Sequence, residues 1–248
     1  MKVVFHPDFY QVYVSDPAAE KGRMEAIVRE IQDMARFVEP REAALSDILL
    51  AHSQDLVEVV KSEGVYHMAA LSAGGAMLTA EIALKEPCFG LIRPPGHHAS
   101  YSSCWGFCYF NNMAIALLSL YHREKIQSAF ILDFDLHYGD GNVNILEDKS
   151  FVSILNPDSR HRDSYLREVR EKLESVNVDM IGISAGFDNH ADDWGGLLHT
   201  DDYFDMGVMV KKAAKRSGGG YFAILEGGYN HKVLGKNVLA LLQGMEQD

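Results

Sequence analysis

The sequence predicts an α/β fold in which helices cover both faces of a central, mainly parallel β-sheet, giving three layers (α/β/α). Short β-rich runs alternate with segments of helical period along the chain, which is typical of a parallel sheet with helical crossovers. The chain has 248 residues, 47% of them hydrophobic, so it can bury a substantial core. No linker, repeat or low-complexity tract divides it, and we expect one domain spanning residues 1–248.

The predicted strands are short apolar runs, KVVF, CFGLI, SAFILDF, FVSIL, VDMIGIS and YFAIL, at residues 2–5, 88–92, 128–134, 151–155, 178–184 and 221–225. The predicted helices have apolar residues at three- and four-residue spacings, at residues 20–36, 53–61, 66–85, 111–123, 162–175, 201–216 and 232–243. In such a sheet, ligands bind beyond the carboxyl ends of the strands. The residues that follow each strand are therefore the first place to look for a site.

The composition excludes some functional classes. Lys plus Arg is 23 against 35 for Asp plus Glu, a net charge of −12, and no basic cluster predicts a nucleic-acid surface. The apolar runs are shorter than the roughly 20 residues that span a bilayer, and the N-terminus lacks the apolar core of a signal peptide. Three cysteines without CxxC spacing suit a reducing compartment. We expect a cytoplasmic protein without a membrane partner; the sequence leaves a homo-oligomer open.

Four predicted strand ends carry more acidic, histidine and tyrosine residues than a turn needs. They read RPPGHH, DLHYGD, GFDNHADD and EGGY, at residues 93–98, 135–140, 186–193 and 226–229. Each alone could be a loop with capping aspartates. Because the carboxyl ends of parallel strands meet at one edge, the four together predict a functional site.

Three of these residues have the chemistry of a catalytic metal site. Asp135 and His137, with Asp188 from the next-but-one strand in the chain, would supply two oxygens and one nitrogen and leave a fourth position open. Zn²⁺ is the first choice, and Fe²⁺ or Co²⁺ would accept the same set. Asp133 alternates with Asp135 and His137, so an extended segment would turn all three side chains to one side.

The adjacent His97 and His98 are expected to be acid–base groups, because neighbouring rings in an extended loop cannot readily share one metal. Each histidine needs a carboxylate partner, and the unassigned acids nearest the metal ligands are Asp133 and Asp140. Two such pairs could deprotonate a metal-bound water and protonate a leaving amine. Tyr229, after two glycines, could donate a hydrogen bond to an oxyanion opposite the metal.

In these residues the chain resembles the zinc-dependent histone deacetylase superfamily, which includes acetylpolyamine amidohydrolases and acetoin-utilisation-type proteins. It looks like a short bacterial or archaeal member of that superfamily. The matching stretches are RPPGHHA, GFCYFNN, DFDLHYGDG, SAGFDNH and EGGY, at residues 93–99, 106–112, 133–141, 184–190 and 226–229. The resemblance implies an arginase/deacetylase-type fold. It also implies removal of an acetyl or other acyl group from an acylated amine, such as acetyl-lysine or acetylpolyamine, by a zinc-bound water assisted by the histidine pair and the tyrosine.

The resemblance also implies roles outside the metal site. Gly106 and Phe107 would line the acyl-lysine tunnel, and Arg23 is similar to the family's arginine near the acetate exit. Asp140 is similar to the family's carboxylate that pairs with the second histidine, which is His98 in this chain. A monovalent cation, K⁺ or Na⁺, would be held near Asp133, Asp135, His137 and Ser153.

One segment departs from the family pattern. After Leu155 the family usually carries a long loop with an aromatic residue that forms the second tunnel wall, whereas this chain has little beyond one helix before Val178. We therefore expect a more open pocket with modest discrimination between acyl groups. The exception would be closure of the wall by a neighbouring subunit or by Trp194, which stands where relatives have Leu or Met.

Two other functions compete with deacetylation. DFDLHYGD is also reminiscent of the arginase motif, but a binuclear ureohydrolase would want a second acidic ligand two residues after Asp188, and that position is His190. The chain could instead be a catalytically silent subunit that binds an acyl ligand. Binding alone does not need an oxyanion donor, so the presence of Tyr229 with both histidines favours an enzyme.

Overall fold

The computed structural model describes residues 1–247 and contains one parallel seven-stranded sheet, which confirms the predicted fold class. Asp248, the last residue of the predicted domain, lies outside the described residues. The strand order is β2-β1-β3-β7-β6-β4-β5, and every pairing between neighbours is parallel. The strands β1 to β7 are Lys2–Val4, Arg36–Val38, Cys88–Gly90, Ala129–Asp133, Val152–Leu155, Met180–Ala185 and Gly220–Leu225.

Helices form the two outer layers. The α-helices α1 to α9 are Arg23–Ile31, Leu45–Ile48, Gln54–Ser62, Tyr66–Ala83, Asn112–His122, Asp140–Leu146, Arg162–Ser175, Thr200–Ser217 and His231–Glu246. Helix α4 packs on α5, and α9 packs on α1 and α8. Strands β4 and β6 are buried along their whole length, so this cover extends over both faces of the central sheet.

Three short elements differ from the sequence prediction. The helix predicted over residues 20–36 ends at Ile31, and Arg36–Val38 instead forms the edge strand β2 beside β1. This strand has no apolar run because its side chains are largely exposed; backbone pairing alone makes it a strand. Helices α2 and α6 are too short to show a helical period, and α6 begins at Asp140 within a segment interpreted as a loop.

The sheet order explains how four distant motifs meet. Strands β3, β7, β6 and β4 are consecutive in the sheet, and they are the four strands followed by RPPGHH, EGGY, GFDNHADD and DLHYGD. Because all four strands are parallel, their carboxyl ends lie side by side at one edge. In residues 1–247 no helix combines the length and apolar character needed to cross a membrane.

A buried histidine stabilises the loops at this edge. The His52 ring lies within 2.9 Å (Nδ1) of the Ser100 carbonyl oxygen and within 2.7 Å (Nε2) of the Asn111 backbone nitrogen. Nδ1 therefore carries the proton and donates it to Ser100, while Nε2 accepts from Asn111. Burial lowers the pKa of His52 to about 4. This neutral ring joins the loop after the histidine pair to the start of α5.

The low pKa of His52 predicts a loss of stability in mild acid. In the unfolded chain the group titrates near its ordinary value of 6.5, so between pH 6.5 and about 4 the unfolded state binds the extra proton. The contribution is complete above pH 6.5 and falls by about 3 kcal/mol as the pH drops to 4. We expect the difference in unfolding free energy between wild type and His52→Asn, measured in urea, to shrink over this range.

A difference between wild type and His52→Asn that stays flat with pH would contradict the buried, neutral assignment.

Candidate active site

Three side chains converge at the ends of the neighbouring strands β4 and β6. Nδ1 of His137 lies 3.3 Å from Oδ1 of Asp135 and 3.1 Å from Oδ2 of Asp188. One ligand atom from each of the three residues lies within 4.8 Å of the others. Both carboxylates are buried, and the imidazole is partly exposed towards the pocket.

Backbone groups fix the two carboxylates. Strand β4 ends at Asp133, so the strand alternation predicted through His137 is wrong, and the chain bends instead. In this bend the backbone N–H of Leu136 donates to Asp188 (3.1 Å) and that of His137 donates to Asp135 (3.0 Å). The N–H of Gly227 donates to the second oxygen of Asp135 (2.8 Å).

Missing side chains leave room for these carboxylates. A Cβ built on Gly186 would overlap the Asp135 carboxylate, and one on Gly227 would crowd both Asp135 and Asp188. Glycine at both positions therefore lets two loops close over the acidic pair.

The three residues fit a divalent cation. Oδ2 of Asp188 is buried, and its 3.1 Å contact with Nδ1 of His137 is the one polar side-chain contact given for it among the described residues. Hydrogen bonds that Asp135 and Asp188 accept from the His137 ring raise its pKa to about 10, which marks a point of strongly negative potential. Two carboxylate oxygens and one imidazole nitrogen are a donor set that Zn²⁺ takes in catalytic sites, and Fe²⁺ and Co²⁺ also accept it.

Each histidine of the pair has its own carboxylate. Nδ1 of His97 lies 3.2 Å from Oδ2 of Asp133, and Nδ1 of His98 lies 2.6 Å from Oδ1 of Asp140. The two rings are 4.0 Å apart and inclined by 42°. The structure thus brings together both histidine–carboxylate pairs predicted from the sequence.

The two histidines differ in electrostatic environment. Burial alone would lower the pKa of His97, but the charges of Asp135 and Asp133 raise it well above its ordinary value. Burial, together with the neighbouring His97, lowers the pKa of His98 to about 4 although Asp140 acts in the opposite direction. The pKa values of the two neighbouring imidazoles are thus shifted in opposite directions, a division that suits acid–base chemistry.

Tyr229 stands on a tightly held turn. The backbone N–H groups of Tyr229 and Asn230 both donate to Oδ2 of Asp193 (2.8 Å each). Burial, with the negative charges of Asp135 and Asp188, raises the pKa of the phenol, so the hydroxyl keeps its proton and can act as a donor.

Arg23 contacts the backbone of this turn and does not line the pocket. Its buried guanidinium donates to the carbonyl oxygens of Gly228 (2.9 Å) and Glu226 (2.6 Å), and its carbon lies 5.5 Å from the centre of the Tyr229 ring. The structure therefore shows Arg23 as a support for the EGGY turn. Its role near an acetate exit stays a prediction.

Aromatic side chains and both histidines enclose a pocket of about 130 Å³ in front of His137. It is lined by Pro95, His97, His98, Trp105, Gly106, Phe107, His137, Trp194, Gly227 and Tyr229. Phe107 meets Tyr229 edge to face at 6.0 Å, in a backbone conformation with φ of 66° that few non-glycine residues adopt. Trp194 stacks on Tyr229 at 4.0 Å.

The site differs on its two sides. Trp194 forms part of the wall beside Tyr229, which is the stated exception to the more open pocket expected from the sequence. On another side of His137 a second cavity of about 530 Å³ opens, lined by residues that include Asp135, Tyr138, Asn156 and Asn189. The site is narrow at its aromatic wall and open beside the metal group.

Several supporting residues were missed at the sequence level. Oε2 of Glu226 accepts hydrogen bonds from the backbone N–H groups of Gly96 (2.7 Å) and His97 (3.2 Å), and burial raises its pKa to about 7. Its position directly after an apolar strand was an available signal. No sequence pattern indicated the roles of Asp193 and Trp105, because their contacts depend on loop conformation.

Two residues considered in the sequence analysis lie away from the metal group. His190 accepts a hydrogen bond from the N–H of Asp192 (3.0 Å) and places Nε2 3.3 Å from the Thr200 hydroxyl. Ser153 is exposed on edge strand β5. The described residues show no monovalent-cation site, and that cation stays a prediction.

The sequence is similar to those of known deacetylases. The family model described as "Histone deacetylase domain" matches residues 58–166 and 156–245. The two matched segments overlap at 156–166. A probable deacetylase of Methanothermobacter thermautotrophicus is 32% identical, over 98% of this chain and 90% of its own length. A histone deacetylase-like amidohydrolase of Pseudomonas aeruginosa is 30% identical over 67% of this chain and 55% of its own length.

More distant proteins extend the likeness. The polyamine deacetylase HDAC10 of Danio rerio is 24% identical over 96% of this chain and 46% of its own length. The crystal structure of the HDA15 HD domain superposes with a TM-score of 0.84 at 22% identity, covering 98% of this chain and 88% of that one, and shows the same fold. The family model and the archaeal relative together establish that the chain belongs to the histone deacetylase family.

Proposed function

We propose that the protein is a metal-dependent deacetylase, acting as one catalytic domain, that removes an acetyl or other acyl group from an acylated amine such as acetyl-lysine or acetylpolyamine. One observation carries the proposal: the group of Asp135, His137 and Asp188 borders a small aromatic pocket that the histidine pair and Tyr229 also line. The deacetylase relatives support the reaction class, and their names include both an amidohydrolase and a polyamine deacetylase.

Asp135, His137 and Asp188 would hold the metal. A bound Zn²⁺, Fe²⁺ or Co²⁺ would supply a Lewis acid that polarises the amide carbonyl and makes water more acidic. The three residues would fix its place at the pocket floor, and the backbone N–H groups on the two carboxylates would keep their oxygens oriented.

The histidine pair would divide the proton transfers. Neutral His98 accepts a proton from the attacking water and delivers it to the nitrogen of the leaving amine, and Asp140 keeps its ring oriented through Nδ1. His97, whose pKa is raised by Asp135 and Asp133, would stabilise negative charge that develops nearby.

Tyr229 would donate its phenol proton in a hydrogen bond to the developing oxyanion. Its raised pKa keeps that proton in place, and Asp193 and Arg23 hold the turn that carries the ring. The acyl chain would lie between Phe107 and the stacked Trp194 and Tyr229.

The geometry favours this function over the two alternatives. A binuclear ureohydrolase would need His190 at the metal group, whereas that ring faces Thr200. A silent binding subunit would not need the two histidine–carboxylate pairs.

Turnover by the metal-loaded protein tests the proposal. We expect hydrolysis of at least one member of a panel containing a fluorogenic acetyl-lysine peptide, acetylpolyamines and amines with longer acyl chains. No turnover of any member by protein with bound metal would overturn the proposed function.

The metal group predicts one catalytic divalent ion per chain. Elemental analysis should find one zinc, iron or cobalt ion, and a chelator should remove both the ion and the activity. Asp188→Asn exchanges a charged ligand for a neutral one and should lose most of the bound metal. His190→Asn, the matched control, should keep it; two tightly bound ions per active chain, or full metal content in Asp188→Asn, would contradict the assignment.

The proposed role of Tyr229 predicts an effect on the transition state. Tyr229→Phe keeps the ring but removes the hydroxyl, so we expect kcat to fall about 10²–10³-fold, with metal content retained and KM changed much less. Steady-state kinetics and metal analysis of the two proteins give the comparison. If the ring merely packs the loop, turnover of the variant will match wild type, and Tyr229 leaves the mechanism.

A further inference from the structure

Trp105 makes two contacts with the proposed acid–base group, one with Asp140 and one with His98. Neither contact has a part in the proton transfers proposed for the reaction. Its side chain is 54% exposed at the pocket rim, just before Gly106 and Phe107. Its indole Nε1 nevertheless donates to Oδ2 of Asp140 at 2.8 Å. Its ring centre lies 3.9 Å from that of His98, with the planes inclined by 33°.

The first contact completes the hold on Asp140. Oδ1 of this carboxylate pairs with Nδ1 of His98 (2.6 Å), and Trp105 occupies the other oxygen. Asp140 opens helix α6, and its side chain is 41% exposed. A carboxylate held at one oxygen can rotate about its terminal torsion, whereas donors on both oxygens fix its plane. The plane of Asp140 in turn sets the orientation of the His98 ring.

The second contact encloses the imidazole. The indole lies against His98, and Gly106, at φ of 59°, passes so close to the ring that a Cβ there would overlap Cδ2. Tryptophan followed by glycine therefore lets one loop hold the carboxylate and cover the ring together. Nδ1 is directed to Asp140, which leaves Nε2 for the pocket.

We propose that Trp105 is a positioning residue for the deacetylation reaction, which fixes His98 by holding the second oxygen of Asp140 and by packing on the imidazole. This inference rests on the proposed function and assigns a determinant of its acid–base group. The other exposed tryptophan, Trp194, contacts Tyr229 across the pocket and plays no part in this hold.

Kinetics of two variants test the inference. Trp105→Phe keeps a ring but loses the N–H, and we expect kcat to fall about five- to tenfold, as for loss of one typical hydrogen bond, with KM within about twofold. Trp105→Leu loses both contacts and should fall further. Tyr101→Leu removes an equally exposed aromatic from the same loop, outside the pocket, and serves as the matched control. Wild-type kcat in Trp105→Phe, or a change confined to KM, would overturn the proposal.

A double-mutant cycle with Asp140→Ala separates positioning from direct substrate contact, because alanine removes the acceptor oxygen altogether. If Trp105 acts through Asp140, the Trp105→Phe change should cost less than about twofold in kcat in the Asp140→Ala background. Equal losses in both backgrounds would mean that the indole acts elsewhere.

NMR gives a readout that does not need turnover, because the chain has two tryptophans and therefore two indole N–H signals. The Trp105 signal, identified by its loss in Trp105→Phe, should exchange slowly with water in wild type and quickly in Asp140→Ala, while that of Trp194 stays unchanged. A Trp105 signal insensitive to Asp140→Ala overturns the inference. Wild-type protein that hydrolyses no acylated amine overturns the proposed function instead, and the indole signals still decide whether the Trp105–Asp140 bond exists.

Discussion

The structure around the site depends on one electrostatic constraint: Asp135 and Asp188 lie buried side by side at the end of a hydrophobic sheet. Burying two neighbouring carboxylates is costly unless backbone donors, a histidine or a cation compensate them. Leu136 and Gly227 direct N–H groups at them, and His137 lies between them. The parallel order of β4, β6 and β7 brings these three loops together, and the remaining negative potential is what makes the place suitable for a divalent ion.

The loops at this edge are joined to one another by buried and partly buried polar side chains. Glu226, after β7, holds the backbone of the histidine loop after β3. Asp193, after β6, holds the turn that carries Tyr229, and Arg23 of α1 holds the same turn from below. Each motif is thus shaped by a residue of another element, so a substitution in one loop should be felt in the geometry of its neighbour.

The sequence predicted what depends on local pattern. Apolar runs located the six strands other than β2, and acidic and histidine residues after four of them located the site. It could not give what depends on tertiary contact: β2 exists only through pairing with β1. The contact of Trp105 with Asp140 requires the left-handed backbone at residues 106–107. No sequence pattern predicted that conformation at Phe107, since non-glycine residues rarely adopt it.

Only six residues, 156–161, separate β5 from α7. The pocket rim carries two exposed tryptophans that come from other loops, Trp105 and Trp194. Each packs on a group assigned to the proposed chemistry: Trp194 on Tyr229 and Trp105 on His98. The larger cavity beside His137 has aromatic lining of its own, from Tyr138 and Tyr165. Under the proposed function, each indole that lines the pocket therefore also packs on a catalytic group, so a change at either tryptophan would alter both the shape of the pocket and the surroundings of that group.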